Sequence, residues 1–132
     1  MKKILGILAI LLLTGCVKEK VICSLNSEYS ETGITKEEII GMFNGDNELV
    51  DMEMTFTFVS NERADEMCDL FEMSNSSQDK SNRIKFKCSD NTLTITSYQG
   101  VLSNLKMHEN EIMGKTKEQF INIINNKGYK CQ

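Results

Sequence analysis

The sequence predicts one α+β domain: an antiparallel sheet of about five strands with two helices packed on one face, in the order β-β-β-α-β-β-α. Three observations predict it. Val50, Met52, Met54, Phe56 and Phe58 alternate with Asp51, Glu53, Thr55 and Thr57, the period of a half-buried strand. Asn44-Gly45-Asp46-Asn47, just before that run, is a hairpin signal. Capped segments of helical spacing stand at 61–73 and from Thr116 onward. The chain has 132 residues, room for one domain. With 40% hydrophobic and 26% charged residues, its balance is globular rather than disordered.

The chain opens with a leader. Lys2 and Lys3 precede an apolar run over 4–13, interrupted only by Gly6. Ten residues are too few for a permanent span, which takes about 20. They fit the apolar core of a secretory signal, about 7–15 residues long. Leu13-Thr14-Gly15-Cys16 then resembles the lipobox of bacterial lipoproteins. That resemblance implies a diacylglyceryl thioether on Cys16 and cleavage just before it. The chemistry is consistent: a thiolate is a good nucleophile for lipid transfer, and small residues let a peptidase reach the bond. The alternative is an ordinary cleaved leader followed by a chance cysteine. The expected organisation is a leader over 1–15, a lipidated tether over 16–20 and one domain over 21–132. It would be anchored to the extracytoplasmic face of the cell membrane rather than spanning it.

Charge narrows the partners. Losing Lys2 and Lys3 removes two of 15 basic residues and none of the 19 acids, so the net charge moves from −4 to −6. Such a domain is a poor nucleic-acid binder and is repelled by anionic head groups. The lipid, not the surface, would hold it at the membrane.

The elements follow in order. Residues 19–26 alternate as a first strand, and 27–33 are polar and turn-like. Residues 34–43 carry two signals: Thr35 with Glu38 resembles a capping box, whereas Ile34, Ile39 and Ile40 favour a strand. The hairpin at 44–47 needs a partner strand before it, so 35–43 is a strand. Ser60 or Asn61 caps a helix over 61–73. Residues 74–82 form a polar loop. Strands follow at 83–89 and 92–98 around Asp90-Asn91, and Gly100 breaks the pattern. No element is assigned to 101–115, although Leu102, Leu105 and Met107 can dock on the core. Thr116 and Gln119 make a capping box for a last helix with the stripe Phe120, Ile123, Ile124, stopped at Gly128. Asp51 and Glu53 on one strand would pair with Arg83, Lys85 and Lys87 on another if the two are neighbours. A basic patch for an acidic partner is the sharper alternative.

With Cys16 lipidated, Cys23, Cys68, Cys88 and Cys131 remain. An even count outside the cytoplasm reads as two disulfides, with three connectivities open. Zinc held by four scattered thiols lacks the paired spacing of structural sites. Side-chain parity selects a pairing. Cys68 shares a helix face with Ala64, Met67 and Phe71, and Cys88 shares a strand face with Ile84 and Phe86, so both point into a core. Cys23 shares a face with Val21 and Leu25, and Cys131 follows the last helix. The expected bonds are Cys68–Cys88 and Cys23–Cys131.

The lipobox at 13–16, the hairpin at 41–50, the helix after Phe58-Val59-Ser60, the Thr-rich strand at 92–96 and the ending from Thr116 through Cys131 together resemble the YehR-like family of small bacterial lipoproteins of unknown function. The resemblance covers nearly all of the mature chain and implies an α+β lipoprotein domain. It carries over no catalytic residues.

Nothing in the sequence composes a catalytic centre. His108, the only histidine, stands in the polar stretch 107–111, and there is no Gly-x-Ser-x-Gly elbow. No metal site and no cofactor are expected: Asp46 and Glu48 are too few oxygens for calcium, and Met52 and Met54 fit a core better than copper. The expected function is that of a non-enzymatic binding or interaction module with a protein or peptide partner in the envelope. The alternative is a small envelope hydrolase working through acidic residues.

Overall fold

The side chain of Asn44 closes the central hairpin. Its carboxamide oxygen accepts from the N–H groups of Asp46 and Glu48, each at 3.0 Å, while the Asn44 backbone N–H donates to the Glu48 carbonyl. Asn47 takes the left-handed φ of 61° that the turn requires, a conformation asparagine tolerates. The computed structural model describes residues 17–27 and 31–132, so the leader and Cys16 lie outside the described residues.

This turn folds β2 (Ile34–Phe43) against β3 (Leu49–Phe58). β1 (Glu19–Asn26) pairs with the outer side of β2, and β6 (Lys130–Cys131) pairs with β1. On the other side of β3 lie β5 (Thr92–Ile95) and then β4 (Phe86–Ser89). The result is a six-stranded antiparallel sheet in the order β4-β5-β3-β2-β1-β6. Three helices, α1 (Asn61–Ser76), α2 (Tyr98–Leu105) and α3 (Lys117–Asn126), complete an α+β domain.

The fold class is as the sequence predicts, with several local differences. One sits at a bulge. Met42 faces Asp51 and Phe43 faces Leu49, which leaves Val50 without an opposite residue. The slip turns Leu49 into the core in place of Val50, after which Met52, Met54, Phe56 and Phe58 follow in strict alternation. The last two long strands are shorter than expected and α1 runs three residues further, to Ser76. A sixth strand and a third helix are added.

α2 begins in a stretch where Gly100 reads as a breaker. Ser97 caps it, its hydroxyl accepting from the Gly100 N–H. A Cβ on Gly100 would stand 2.6 Å from Ile95 Cγ2 and 2.9 Å from Ile84 Cγ2. The missing side chain therefore lets α2 settle on the sheet. Gly41 plays the same part under α3, where a Cβ would meet Phe120 Cζ at 2.7 Å. The Phe120 ring meets Phe43 edge to face at 5.5 Å, and Phe71 of α1 meets Phe86 of β4 likewise at 5.3 Å.

All three helices cover the face that carries Met54, Leu93 and Ile95. The opposite face carries one residue from each strand in a row across the sheet: Lys130, Ser24, Glu38, Thr55, Thr94 and Lys87. The Thr55 and Thr94 hydroxyls are 3.1 Å apart. This arrangement corrects the charge pairing expected above. β5 intervenes between β3 and β4, so threonine, not carboxylate, lies opposite Lys87. Lys85 and Lys87 have no ion-pair partner among the described residues.

Candidate functional site

Two covalent links fix the frame. Cys23 is bonded to Cys131 across 108 residues, and Cys68 to Cys88 across 20. Cys23 and Cys131 are direct partners in the β1–β6 ladder. Cys68 is buried, but Cys88 is exposed rather than in a core. Its side chain points to the helix-covered face as parity requires. β4 is the edge of the sheet, however, and nothing lies beyond it. The bond ties α1 to that edge.

A groove runs between α1 and α2. α1 packs on β3, β4 and β5, and α2 packs on β3. At the Phe58 end of β3 the groove is a chamber of about 100 Å³ walled by Phe56, Phe58 and Leu93 from the sheet and by Met67 and Phe71 from α1. Asn104 stands at its α2 side, with its amide donating to Met54 Sδ at 3.3 Å. Met67 and Phe71 also line a second opening of about 250 Å³ with Leu70 and Ile84. Ser74, Asn75 and Ile84 carry the groove on into a polar end of about 460 Å³ reached by Gln99 and Ser103 of α2. The groove is thus apolar at one end and amide- and hydroxyl-lined at the other.

Asn75 shapes its middle. The carboxamide donates to the Ile84 carbonyl at 2.8 Å and accepts from the Ile84 N–H at 3.0 Å. This two-point clamp holds the segment after the 3₁₀ turn Lys80–Asn82 against α1 and presents Ile84 to the groove.

Among the described residues no acid lines the groove, and Glu72 of α1 lines a separate opening with Lys85, Lys87 and Cys88. α1 exposes Glu62, Asp65, Glu66, Asp69 and Glu72. Its one cation, Arg63, is paired with Glu66 at 2.7 Å and also donates to the backbone carbonyls of Glu31 and Thr32. α2 carries no charged residue at all. Leu70 and Met73 are 55% and 67% exposed among these acids, large apolar side chains with no core to enter. Their positions are legible in the sequence, since both fall off the stripe Ala64, Met67, Cys68, Phe71. The apolar floor is not, because it is assembled from three strands.

Other candidates stand elsewhere. Glu37 lies on the helix-covered face between Leu25 and Phe56, and burial raises its carboxyl above the ordinary 4.5. The buried Tyr129 hydroxyl is pushed up to about 12, first by burial and then by the Glu37 charge. Glu38 projects to the opposite face and pairs with Lys36 at 3.7 Å. His108 is exposed at the start of the 3₁₀ turn Glu109–Glu111. Met52 and Met54 are fully buried. Among the described residues, no three histidine, cysteine or acidic side chains come together as a metal site, and no helix is long and apolar enough to cross a membrane.

No family model, curated protein or solved structure matches the chain.

Proposed function

We propose that this protein is a lipid-anchored envelope lipoprotein that acts as a non-enzymatic binding module for a protein or peptide, with Cys16 as the lipidated residue. The observation that carries the binding role is the groove between α1 and α2, with its apolar floor and the exposed Leu70 at its rim. The leader pattern over 1–16, the YehR-like resemblance and the two disulfides support the envelope location. On this reading the anchor is very close to the domain. The Lys18 N–H donates to the Phe43 carbonyl at 2.7 Å, so the sheet's hydrogen bonding is in place within two residues of Cys16.

In-cell crosslinking of the anchored protein, followed by mass spectrometry, tests the role. One reproducible protein partner is the expected result. Only nonspecific neighbours would count against it. Palmitate labelling that is lost in Cys16→Ala tests the anchor.

Hydrolysis through acidic residues is the second reading. Its one favourable observation is Glu37, whose raised carboxyl has the character of a general acid. The neighbouring acid on the strand, Glu38, faces the other way. Envelope turnover unchanged in Glu37→Gln would remove that support.

A further inference from the structure

Beyond the groove, we infer that the outer edge of β4 is a second docking surface, which takes an extended acidic segment of a protein partner as an added antiparallel strand. β4 has a ladder partner on one side only, and among the described residues no strand lies beyond it. Its register with β5 fixes which groups face outward. The Thr96 N–H donates to the Lys85 carbonyl at 2.9 Å, so Lys85 and Lys87 are the positions that bond inward to β5. Phe86 and Cys88 therefore turn their N–H and C=O groups to the open side. The edge is held in place without an outer strand. Asn75 clamps Ile84 at one end of it, and the Cys68–Cys88 bond ties the other end to α1. A strand held in this way accepts a partner at little ordering cost.

Charge sets the chemistry of that strand. Arg83, Lys85 and Lys87 recur at every second position, and all three are exposed. They line one opening of about 650 Å³ along the edge, together with Glu72 of α1. None of the three cations forms an ion pair among the described residues, although Arg83 donates to the Gln78 carbonyl at 3.2 Å. β5 holds the acids of β3 two strands away, about 10 Å from β4. In the added ladder, residues opposite Lys85 and Lys87 fall in non-hydrogen-bonded pairs, the kind with closer side chains, so acids there meet the ammonium groups directly. Residues opposite Phe86 and Cys88 fall on the helix side, where Glu72 disfavours a further acid. The occupant thus alternates, with acids over the open sheet face and small apolar residues toward α1. A second copy of β4 is a poor fit, because lysine would stand opposite or beside lysine. Anionic lipid answers the charge but leaves the alternating backbone groups of Phe86 and Cys88 unused. β4 is also four strands from β1, where the chain enters the sheet, about 19 Å across.

The test uses the full chain in phosphatidylcholine nanodiscs, with empty nanodiscs as reference, and fluorescent peptides of about ten residues read by polarisation. One probe alternates Glu and Val, and a second alternates Lys and Val. Two more are Glu/Val peptides, one N-methylated at its central Val residues and one at its central Glu residues. The Glu/Val peptide is expected to bind saturably and roughly tenfold or more tighter than the Lys/Val peptide. Methylation at Val removes the N–H groups that bond to β4 and should abolish binding. Methylation at Glu alters groups that face solvent and should leave affinity within about threefold. Lys85→Glu with Lys87→Glu is expected to reverse the preference between the Glu and Lys probes. Both positions are exposed, and an unchanged thermal midpoint checks that the variant folds. No Glu/Val binding, equal binding of the Glu and Lys probes, or an unreversed preference overturns the inference. Full binding of the Val-methylated peptide, with displacement by phosphatidylglycerol vesicles, also overturns it and makes the stripe a lipid contact. Photocrosslinkers at Ser89 and at Leu70, used in cells, separate the edge from the groove. Capture at Ser89 of a partner segment with alternating acids is the expected result. Capture from Leu70 alone overturns the edge but keeps the groove, and capture from neither position removes both.

Discussion

Asn75 and Ile84 are joined by two hydrogen bonds in opposite senses, one donated by the Asn75 carboxamide at 2.8 Å and one accepted by it at 3.0 Å. The pair spans nine residues of polar chain, including the 3₁₀ turn, and couples the end of α1 to the edge of the sheet. A side chain thereby does locally what a strand ladder does elsewhere: it satisfies both backbone groups of Ile84 in a part-buried place.

Asn75→Ala is expected to lose both bonds and expose the groove's middle, at a cost of about 1–2 kcal/mol in urea unfolding. Asn75→Asp keeps the acceptor and loses the donor, so its loss should be smaller. Limited proteolysis supplies the local readout. Cleavage within residues 77–83 should accelerate in Asn75→Ala well before global stability accounts for it.

The two disulfides should differ in worth. The chain-entropy model gives about 3 kcal/mol for a short loop and nearly 5 for one of about 100 residues. Replacing Cys23 and Cys131 by Ser is therefore expected to destabilise by about 1.5 kcal/mol more than replacing Cys68 and Cys88, since the loops span 108 and 20 residues. Parallel denaturant titrations of the two double variants check the order.

Gly41→Ala should be destabilising although the backbone there is ordinary strand. The added methyl would meet the Phe120 ring within a filled core. Overpacking of this kind costs about 1–3 kcal/mol. Gly100→Ala is expected to act similarly against Ile95 and Ile84, and to move α2 enough to change the groove. Amide chemical-shift changes confined to α3 in one case and α2 in the other would distinguish these causes from a general loss of structure.

Glu37 and Tyr129 make stability depend on pH. The Glu37 carboxyl is raised from 4.5 by burial, so the folded chain holds a proton that the unfolded chain has released. Stability is full below that value and falls as pH rises through the raised one. The same sign holds at the alkaline end. Tyr129, raised from 10.0 to about 12, costs stability progressively as pH rises from 10 toward 12. Glu37→Gln should flatten the acid limb and bring the Tyr129 transition below about 12 in an absorbance titration, because the charge that helps to raise it is gone. Tyr129→Phe should remove that late transition.

The strongest local signals in the sequence match their elements. The 44–47 turn, the alternation of 52–58, the Thr116–Gln119 capping box and the cap at Ser60 appear in the structure because each depends on residues a few positions apart. Parity also singled out the two cysteine pairs that the fold brings together, since side-chain direction is a local property. α2 escaped because Gly100 has low helix propensity. Its reason for being there is the nearness of Ile95 and Ile84, which no local pattern encodes. The burial of Leu49 over Val50 escaped likewise, because a bulge is a matter of pairing between strands.

Short-range spacing along the chain is enough to set the α+β class, the central hairpin and the caps. Long-range packing sets the rest: β5 separates the acidic strand from the basic one, Cys88 sits at an open edge, and three strands and two helices leave an apolar groove. Strand order and the space between helices arise from contacts between residues far apart in the chain. Alternation along one strand fixes which face a side chain takes, but not which neighbour it meets there.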